Sequence, residues 1–177
     1  MNAQLYNPAL ERKWKRRRSQ RQRSTRGMRN QMDDSFFCKH CNNYVSSAVS
    51  LSGVQNRNHC PYCLWSRHLD WYAPGDRLSA CKSPMKPIGL AVKATAKKYG
   101  SGCGELMLIH LCTGCESLSI NRIATDDIPQ NLFAVFEGSL KIVRALHDRL
   151  ETFGICILGE ADQALVLLQL FGNETSL

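Results

Sequence analysis

The sequence predicts a small, zinc-stapled, mainly β protein with tandem zinc-ribbon-like modules, a C-terminal α-helical extension and a disordered basic N-terminal arm. Three observations carry this prediction. Nine cysteines occur in 177 residues, and six of them form Cys-x-x-Cys pairs. Basic residues concentrate in the first 32 positions, and apolar residues recur at helical spacing after residue 128. The expected divisions are therefore 1–35 for the arm, 36–127 for the zinc domain and 128–177 for the helical extension.

Length and composition bound the class of protein. A chain of 177 residues is long enough for one domain with extensions. Nine cysteines without a recognisable secretory segment indicate a reducing compartment, in which thiols are available as metal ligands. No apolar run reaches the roughly 18 residues that a membrane span needs. We therefore expect a soluble, cytoplasmic protein without a membrane partner.

The basic character of the chain lies in its N-terminal arm. Residues 1–32 hold ten Lys or Arg and one acid, Glu11, which gives +9, whereas the rest holds thirteen basic and fourteen acidic residues, which gives −1. Many like charges with few apolar residues predict an arm that is disordered when free. The candidate nucleic-acid contacts in this arm are Arg12, Lys13, Trp14, Lys15, Arg16, Arg17, Arg18, Arg21, Arg23 and Arg26.

Three interpretations of the arm are open. The first is an RNA-binding arm, because cations threaded among phosphates release counterions and Trp14 and Tyr6 could stack on exposed bases. The second is an organelle-targeting peptide, which is also rich in Arg and poor in acids. The third is a solvated tail without a partner. The first interpretation is the one that we prefer.

Two Cys-x-x-Cys pairs predict a first zinc site. Cys38 with Cys41, and Cys60 with Cys63, leave 18 residues between the pairs, a spacing typical of zinc sites. Two residues between two cysteines allow a tight turn that aims both sulfurs at one point, and two such turns complete a tetrahedral shell. Four protein ligands leave no open position, so the expected role is structural. A redox dithiol or four unrelated buried cysteines is the alternative.

Four polar residues precede Cys60 directly. Arg57 either braces the loop and balances the thiolate charge or contacts a phosphate of a nucleic acid, and the sequence leaves both roles open. For Asn58 we favour a structural role, in which its side chain bonds nearby backbone. His59 and His40 are surplus to a shell that four cysteines already complete.

This segment, Arg57-Asn58-His59-Cys60-Pro61, resembles the motif that names the RNHCP domain family. Further matches are Cys63-Leu64-Trp65-Ser66, His68 with Asp70, Pro74-Gly75-Asp76-Arg77, Met85-Lys86-Pro87-Ile88-Gly89, Cys112 with Cys115, and Asn121-Arg122-Ile123-Ala124 before Asp126-Asp127. The resemblance covers about residues 36–127. It implies a zinc-ribbon fold and brings no settled biochemical activity, so the function has to be argued from the residues.

Cys81, Cys112 and Cys115 predict a second zinc site. Three cysteines underfill a tetrahedral shell, so a fourth ligand is needed, and His110 and Cys103 are the candidates. We prefer His110, because it lies two residues before Cys112 and would share that residue's face on a strand. The resemblance agrees, since a histidine at this place fits the family's pattern, whereas Cys103 lies in a variable Gly-rich stretch. Buried thiols without metal are the alternative.

Strands and helices are predicted from periodicity and turn residues. Strand patterns occur at Phe36-Phe37, Tyr44-Val45, Ile88 to Val92 and Glu105 to Leu111. From Pro129, which can open a helix, apolar residues recur at helical spacing up to Leu150, and a second helix is expected from Glu160 to Phe171. We expect these helices to pack on the zinc module or on another copy.

The function that we predict is a non-enzymatic zinc-binding protein that binds RNA, as part of a ribosome or its precursor, through the arm and the zinc-ribbon surface. Neither a phosphate-binding loop nor a nucleophile elbow is visible. A module for protein interaction or DNA binding through residues 65–71 is the alternative. A zinc-dependent hydrolase or deaminase would need an open position at the second site, with acid/base groups from Glu105, Glu116, Asp126 or Asp127.

Overall fold

The computed structural model describes residues 35–93, 104–142 and 144–172. Within these ranges the protein is mainly β, with two sheets followed by helices. The ten candidate nucleic-acid contacts of the arm and the alternative ligand Cys103 lie outside the described residues. The predictions made for them therefore stay predictions.

The described part of the chain forms six strands and five helical segments. The strands are β1 (Phe36–Phe37), β2 (Tyr44–Val45), β3 (Ser66–Arg67), β4 (Pro84–Lys93), β5 (Glu105–Cys112) and β6 (Leu118–Arg122). The helices are α1 (Val49–Ser52), α2 (Pro129–Ser139), α3 (Arg144–Thr152) and α4 (Gln163–Phe171), with a 3₁₀ turn at Glu160–Asp162. β1 and β2 form an antiparallel ribbon, and β3-β4-β5-β6 form an antiparallel sheet in that order.

The long hairpin of β4 and β5 is the centre of the larger sheet. Met85 lies opposite Cys112, and the register shifts between Pro87 and Gly89. Proline has no N–H for the ladder, which accounts for an irregularity at this point. Gly89 follows because the extended segment after α3 comes close: a Cβ there would lie 2.6 Å from Cδ1 of Ile157. The strands predicted at Ile88 to Val92 and at Glu105 to Leu111 are confirmed, and they pair with each other.

Both faces of this sheet are buried, which explains the apolar run of β5. Leu108 points into a core under α2 and α4 with Phe136 and Val166, whereas Ile109 points to the opposite face, where Leu150 of α3 covers it. The expected packing of the helices on the zinc module is therefore present. None of the described helices is long and apolar enough to cross a membrane.

The helical pattern from Pro129 to Leu150 forms two helices instead of one. α2 ends at Ser139, whose buried hydroxyl donates to the carbonyl oxygen of Phe136 at 2.6 Å. A serine that bonds the preceding turn competes with the helical ladder. The break turns the chain from one face of the sheet to the other, so that α3 covers the face that α2 leaves exposed.

Replacing Phe136 by Ala should destabilise the fold strongly. Its ring is fully buried between α2 and the sheet, and removal of such a side chain costs about 3–5 kcal/mol. Phe153→Ala, at an exposed ring, is the control and should change the free energy of unfolding by less than about 0.5 kcal/mol. Urea unfolding followed by circular dichroism, at saturating metal, measures both. Equal midpoints would contradict the assignment of this core.

Candidate metal centres

Four cysteine sulfurs from two turns meet at the first cluster. Cys38 Sγ lies 3.5 Å from Cys63 Sγ, and Cys41 Sγ lies 3.6 Å from Cys60 Sγ. All four sulfurs are within 4.8 Å of one another. Sulfurs placed tetrahedrally at ~2.3 Å from an ion are about 3.8 Å apart, so the spacing fits an ion of that size. The structure thus brings together the four cysteines that the sequence indicated.

One type of turn closes all three Cys-x-x-Cys pairs. The residue after the second cysteine is left-handed each time, with φ of 59° at Asn42, 61° at Leu64 and 58° at Glu116. Its N–H donates to the carbonyl oxygen of the first cysteine, at 2.9, 2.9 and 3.1 Å respectively. A leucine rarely adopts this conformation without a compensating constraint. The three Cys-x-x-Cys pairs therefore share one type of local turn.

In the first cluster, burial and hydrogen bonds shift the pKa values of the cysteine thiols in opposite directions. Burial raises the pKa of Cys60 to about 11 and also raises the pKa of Cys63. Burial acts the same way on Cys41, but hydrogen bonds from the backbone and side chain of Asn43 outweigh it and lower that pKa to about 7. A metal ion has to displace protons from the buried thiols, so its affinity increases with pH.

The second cluster consists of three cysteines and one histidine. Cys81 Sγ lies 3.6 Å from Cys112 Sγ, and Cys115 Sγ lies 3.2 Å from Nδ1 of His68. The four ligand atoms are within 4.8 Å of one another. Three thiolates and one imidazole make a complete set for a closed tetrahedral site. The three cysteines singled out in the sequence are brought together here.

The fourth residue beside the three cysteines is His68, and not His110 as preferred from the sequence. His110 is fully buried, with Nε2 2.7 Å from the carbonyl oxygen of Leu64 and Nδ1 2.8 Å from Nδ2 of Asn121. Burial lowers the pKa of His110 to about 3, so its ring is neutral. Both ring nitrogens are used to join β5 to the first cluster's turn and to β6. His110 therefore connects the sheet and lies outside the cluster.

Two serines and a glycine support the second cluster. Hydrogen bonds from Ser83 are the main reason that the pKa of Cys81 is lowered to about 6. The hydroxyl of Ser117 lies 3.2 Å from Cys115 Sγ. A Cβ at Gly114 would collide with Oγ of Ser83 and lie 3.3 Å from Cys81 Sγ. The glycine is required because two chain segments meet closely around the ligands.

Arg57 faces the interior and not a partner. Nη1 donates to both carboxylate oxygens of Asp126, at 2.7 and 2.6 Å, and Nη2 lies 3.3 Å from Oδ1 of Asp127. Nε donates to the carbonyl oxygen of His59 at 3.0 Å. A buried cation that is shared by two carboxylates is not available to a phosphate. The inclusion of Arg57 among the nucleic-acid contacts is therefore corrected, and its bracing role is the one observed.

The two residues after Arg57 are held in the same way. Nε2 of His59 lies 2.8 Å from Oδ2 of Asp127, and the two side chains are both buried. Nδ2 of Asn58 donates to Asp70 at 3.0 Å, so its role is structural as expected, but its partner is a carboxylate and not nearby backbone. These residues tie the turn of Cys60 and Cys63 to two distant parts of the chain.

The four acidic residues considered as acid/base groups of an enzyme are all engaged in ion pairs. The pairs are Arg57 with Asp126 at 2.6 Å and Asp127 at 3.3 Å, Arg122 with Glu105 at 2.9 Å, and Arg149 with Glu116 at 3.3 Å. Only Glu116 is in the turn of a metal cluster. Its carboxylate pairs with the exposed side of α3 and not with the ligands.

The model of the RNHCP domain family matches residues 33–133. This range contains all eight ligands of the two clusters, together with Arg57 and the carboxylates that hold it. No curated protein and no solved structure matches the chain.

His68→Ala should remove one of two bound metal ions, whereas His110→Gln should retain both. The first change leaves three thiolates at the second cluster, and the second change leaves every ligand in place. Native mass spectrometry of folded protein gives the metal count of each variant directly. A full count in the His68 variant, or loss of metal in the His110 variant, would overturn the assignment of the fourth ligand.

Gly114→Ala should weaken the second cluster without affecting the first. The added methyl group would displace Ser83 and with it Cys81, so we expect metal affinity at that cluster to fall at least tenfold. Gly138→Ala is the matched control, because no atom lies within 4 Å of the Cβ that it would add on α2. Competition with a chromogenic chelator measures both variants. Equal chelator curves for the two alanines would contradict the close contact.

Proposed function

Because this chain belongs to the RNHCP domain family and gathers eight ligands into two compact sets, we propose that it is a non-enzymatic protein held by two structural Zn²⁺ ions. The observation that carries the proposal is the completeness of both sets. Seven thiolates and one imidazole suit zinc, whereas magnesium and calcium take oxygen ligands. Elemental analysis of the purified protein tests the metal: zinc is expected, and iron would overturn the assignment.

Zinc would supply folding free energy here and no reaction. Binding to sites of this kind is worth on the order of 10 kcal/mol, because the unfolded chain has no preformed site. A catalytic zinc keeps one position open for water, and four protein ligands leave none. The ion pairs of the four carboxylates further support a structural role, since these groups are already engaged by arginine side chains.

RNA is the partner that we propose for the N-terminal arm, and a ribosome or ribosomal precursor is the proposed target. The support is the division of charge, with +9 on residues 1–32 and −1 on the remainder. Two zinc ions with seven thiolates would make the remainder more negative still. With Arg57 buried, the proposal depends on the arm. Folded RNA offers closely spaced phosphates, and arginine-rich segments often fold on such targets.

Charge removal in the arm should weaken RNA binding and reduce its salt dependence. We expect replacement of Arg16, Arg17 and Arg18 by Gln to lower the slope of log affinity against log salt by about 2, since each phosphate contact contributes roughly 0.7 to 0.9. Deletion of residues 1–32 should remove binding. Filter binding to a fragment of ribosomal RNA, at several salt concentrations, measures both effects.

A variant of the described domain provides the control for this experiment. Lys39, Lys82 and Lys86 are exposed on the described domain, and their replacement by Gln removes the same charge from a different surface. The salt slope of this variant should remain that of the wild-type protein. The RNA proposal fails if the deletion leaves the affinity unchanged. The proposal of two zinc ions would be unaffected in that case, because the metal content is measured separately.

A further inference from the structure

The edge of β6 is the feature from which a second interaction can be derived. In the four-stranded sheet β6 is the last strand, and no described strand pairs with its outer side. An edge strand with unpaired backbone groups is a template for another strand. From this edge and the groove along it, we propose that β6 is a docking site for an extended, uncharged peptide segment of a partner protein.

The hydrogen-bond pattern shows which backbone groups of β6 point outward. The N–H of Cys112 donates to the carbonyl oxygen of Ser117 at 2.9 Å, so this pair faces inward along the β5–β6 ladder. Inward and outward residues alternate in an antiparallel ladder, so Leu118 and Ile120 direct their N–H and C=O away from β5. An added strand would find two donors and two acceptors in regular order.

A groove of about 420 Å³ follows this edge. All five residues from 117 to 121 line it, so the strand edge borders the groove, which also extends over Ser66 and Arg67 of β3 and Met85 of β4. One wall is the loop with Trp71 and Tyr72, and the other includes Phe153 after α3. These three side chains are 53, 77 and 61% exposed. The groove therefore combines a backbone template with exposed aromatic walls, as sites for strand addition do.

Hydrogen bonds order the aromatic wall before a partner arrives. Both oxygens of Asp76 accept backbone N–H groups, from Trp71 at 2.9 Å, from Tyr72 at 2.9 Å and from two further residues of the same loop. A wall that is already ordered loses less conformational entropy when it binds. The loop also starts two residues after the ligand His68, so the second metal cluster anchors it.

The charge of the groove favours a peptide over a nucleic acid. Arg67 is the one cation and Asp70 the one carboxylate among the side chains of its described lining whose charge is fixed at neutral pH. Asp70 already accepts from Asn58 at 3.0 Å and from the N–H of Gly75 at 2.8 Å. A polyphosphate would find little positive charge here, whereas the backbone of an uncharged strand matches the free edge. This binding is separate from that of the arm and does not depend on it.

The test uses the full-length, metal-loaded protein and a capped seven-residue peptide that alternates valine and threonine around a central tyrosine. A second peptide of the same sequence carries N-methyl groups at alternate residues, which removes the donors on one edge. We expect the first peptide to slow hydrogen exchange of the Leu118 and Ile120 amides at least tenfold, and the second to have no effect. Equal effects of the two peptides, or no effect of either, would overturn the proposal.

Protein variants and alternative occupants complete the experiment. Ile120→Pro removes one outward donor and should weaken peptide binding at least tenfold, whereas Ile120→Val keeps the donor and should not. Trp71→Ala gives an independent readout at the wall if the proline variant does not fold. The proposal is overturned if a ten-nucleotide polyuridine slows the same two amides, which would identify a nucleic-acid site. It is also overturned if rising protein concentration alone slows them, which would identify a second copy of the chain.

Discussion

The buried guanidinium of Arg57 couples the first metal cluster to the end of the β-sheet. Its partners Asp126 and Asp127 lie about 70 residues further along the chain, just before α2 begins, and Asp127 also holds His59. A buried cation that loses its carboxylate typically costs 3–5 kcal/mol, so the two regions are held to one geometry. The apolar core beside the first cluster is small. The ionic contacts of Arg57 therefore contribute to holding this cluster against the rest of the domain.

The cysteine turns and their grouping were predictable from the sequence, and the long-range partners of His68, His110 and Arg57 were not. Each Cys-x-x-Cys turn closes through hydrogen bonds within six residues, so spacing alone identified it. His68 becomes a ligand only because β3 pairs with β4, which places its N–H on the carbonyl of Ser83 at 3.0 Å, beside Cys81. His110 and Cys112 are two residues apart on β5, but the ring of His110 is used inside the sheet by Leu64 and Asn121. The role of Arg57 was also not predictable from the sequence, because only the folded chain brings two aspartates to it.

The candidate metal ligands lie in the described domain, whereas the excess positive charge lies in the N-terminal arm. The domain holds Arg57, Arg122 and Arg149 in ion pairs and its candidate soft ligands in two compact sets. The arm holds most of the excess positive charge. Substitutions in the arm therefore leave the candidate metal ligands in place, and substitutions of the ligands leave the cations of the arm in place.

The repeated cysteine turn has a consequence for the order in which the protein assembles. Three turns provide six ligands, so the last half-site is built from two separate places, His68 and Cys81. The first cluster spans only residues 38–63 and can close as soon as this short segment has been synthesised. The second spans residues 68–115 and encloses the β4–β5 hairpin, whose non-local pairing forms slowly. Capture of the second ion would therefore require that β3, β4 and β5 have already paired, whereas β6 follows the last ligand in the chain.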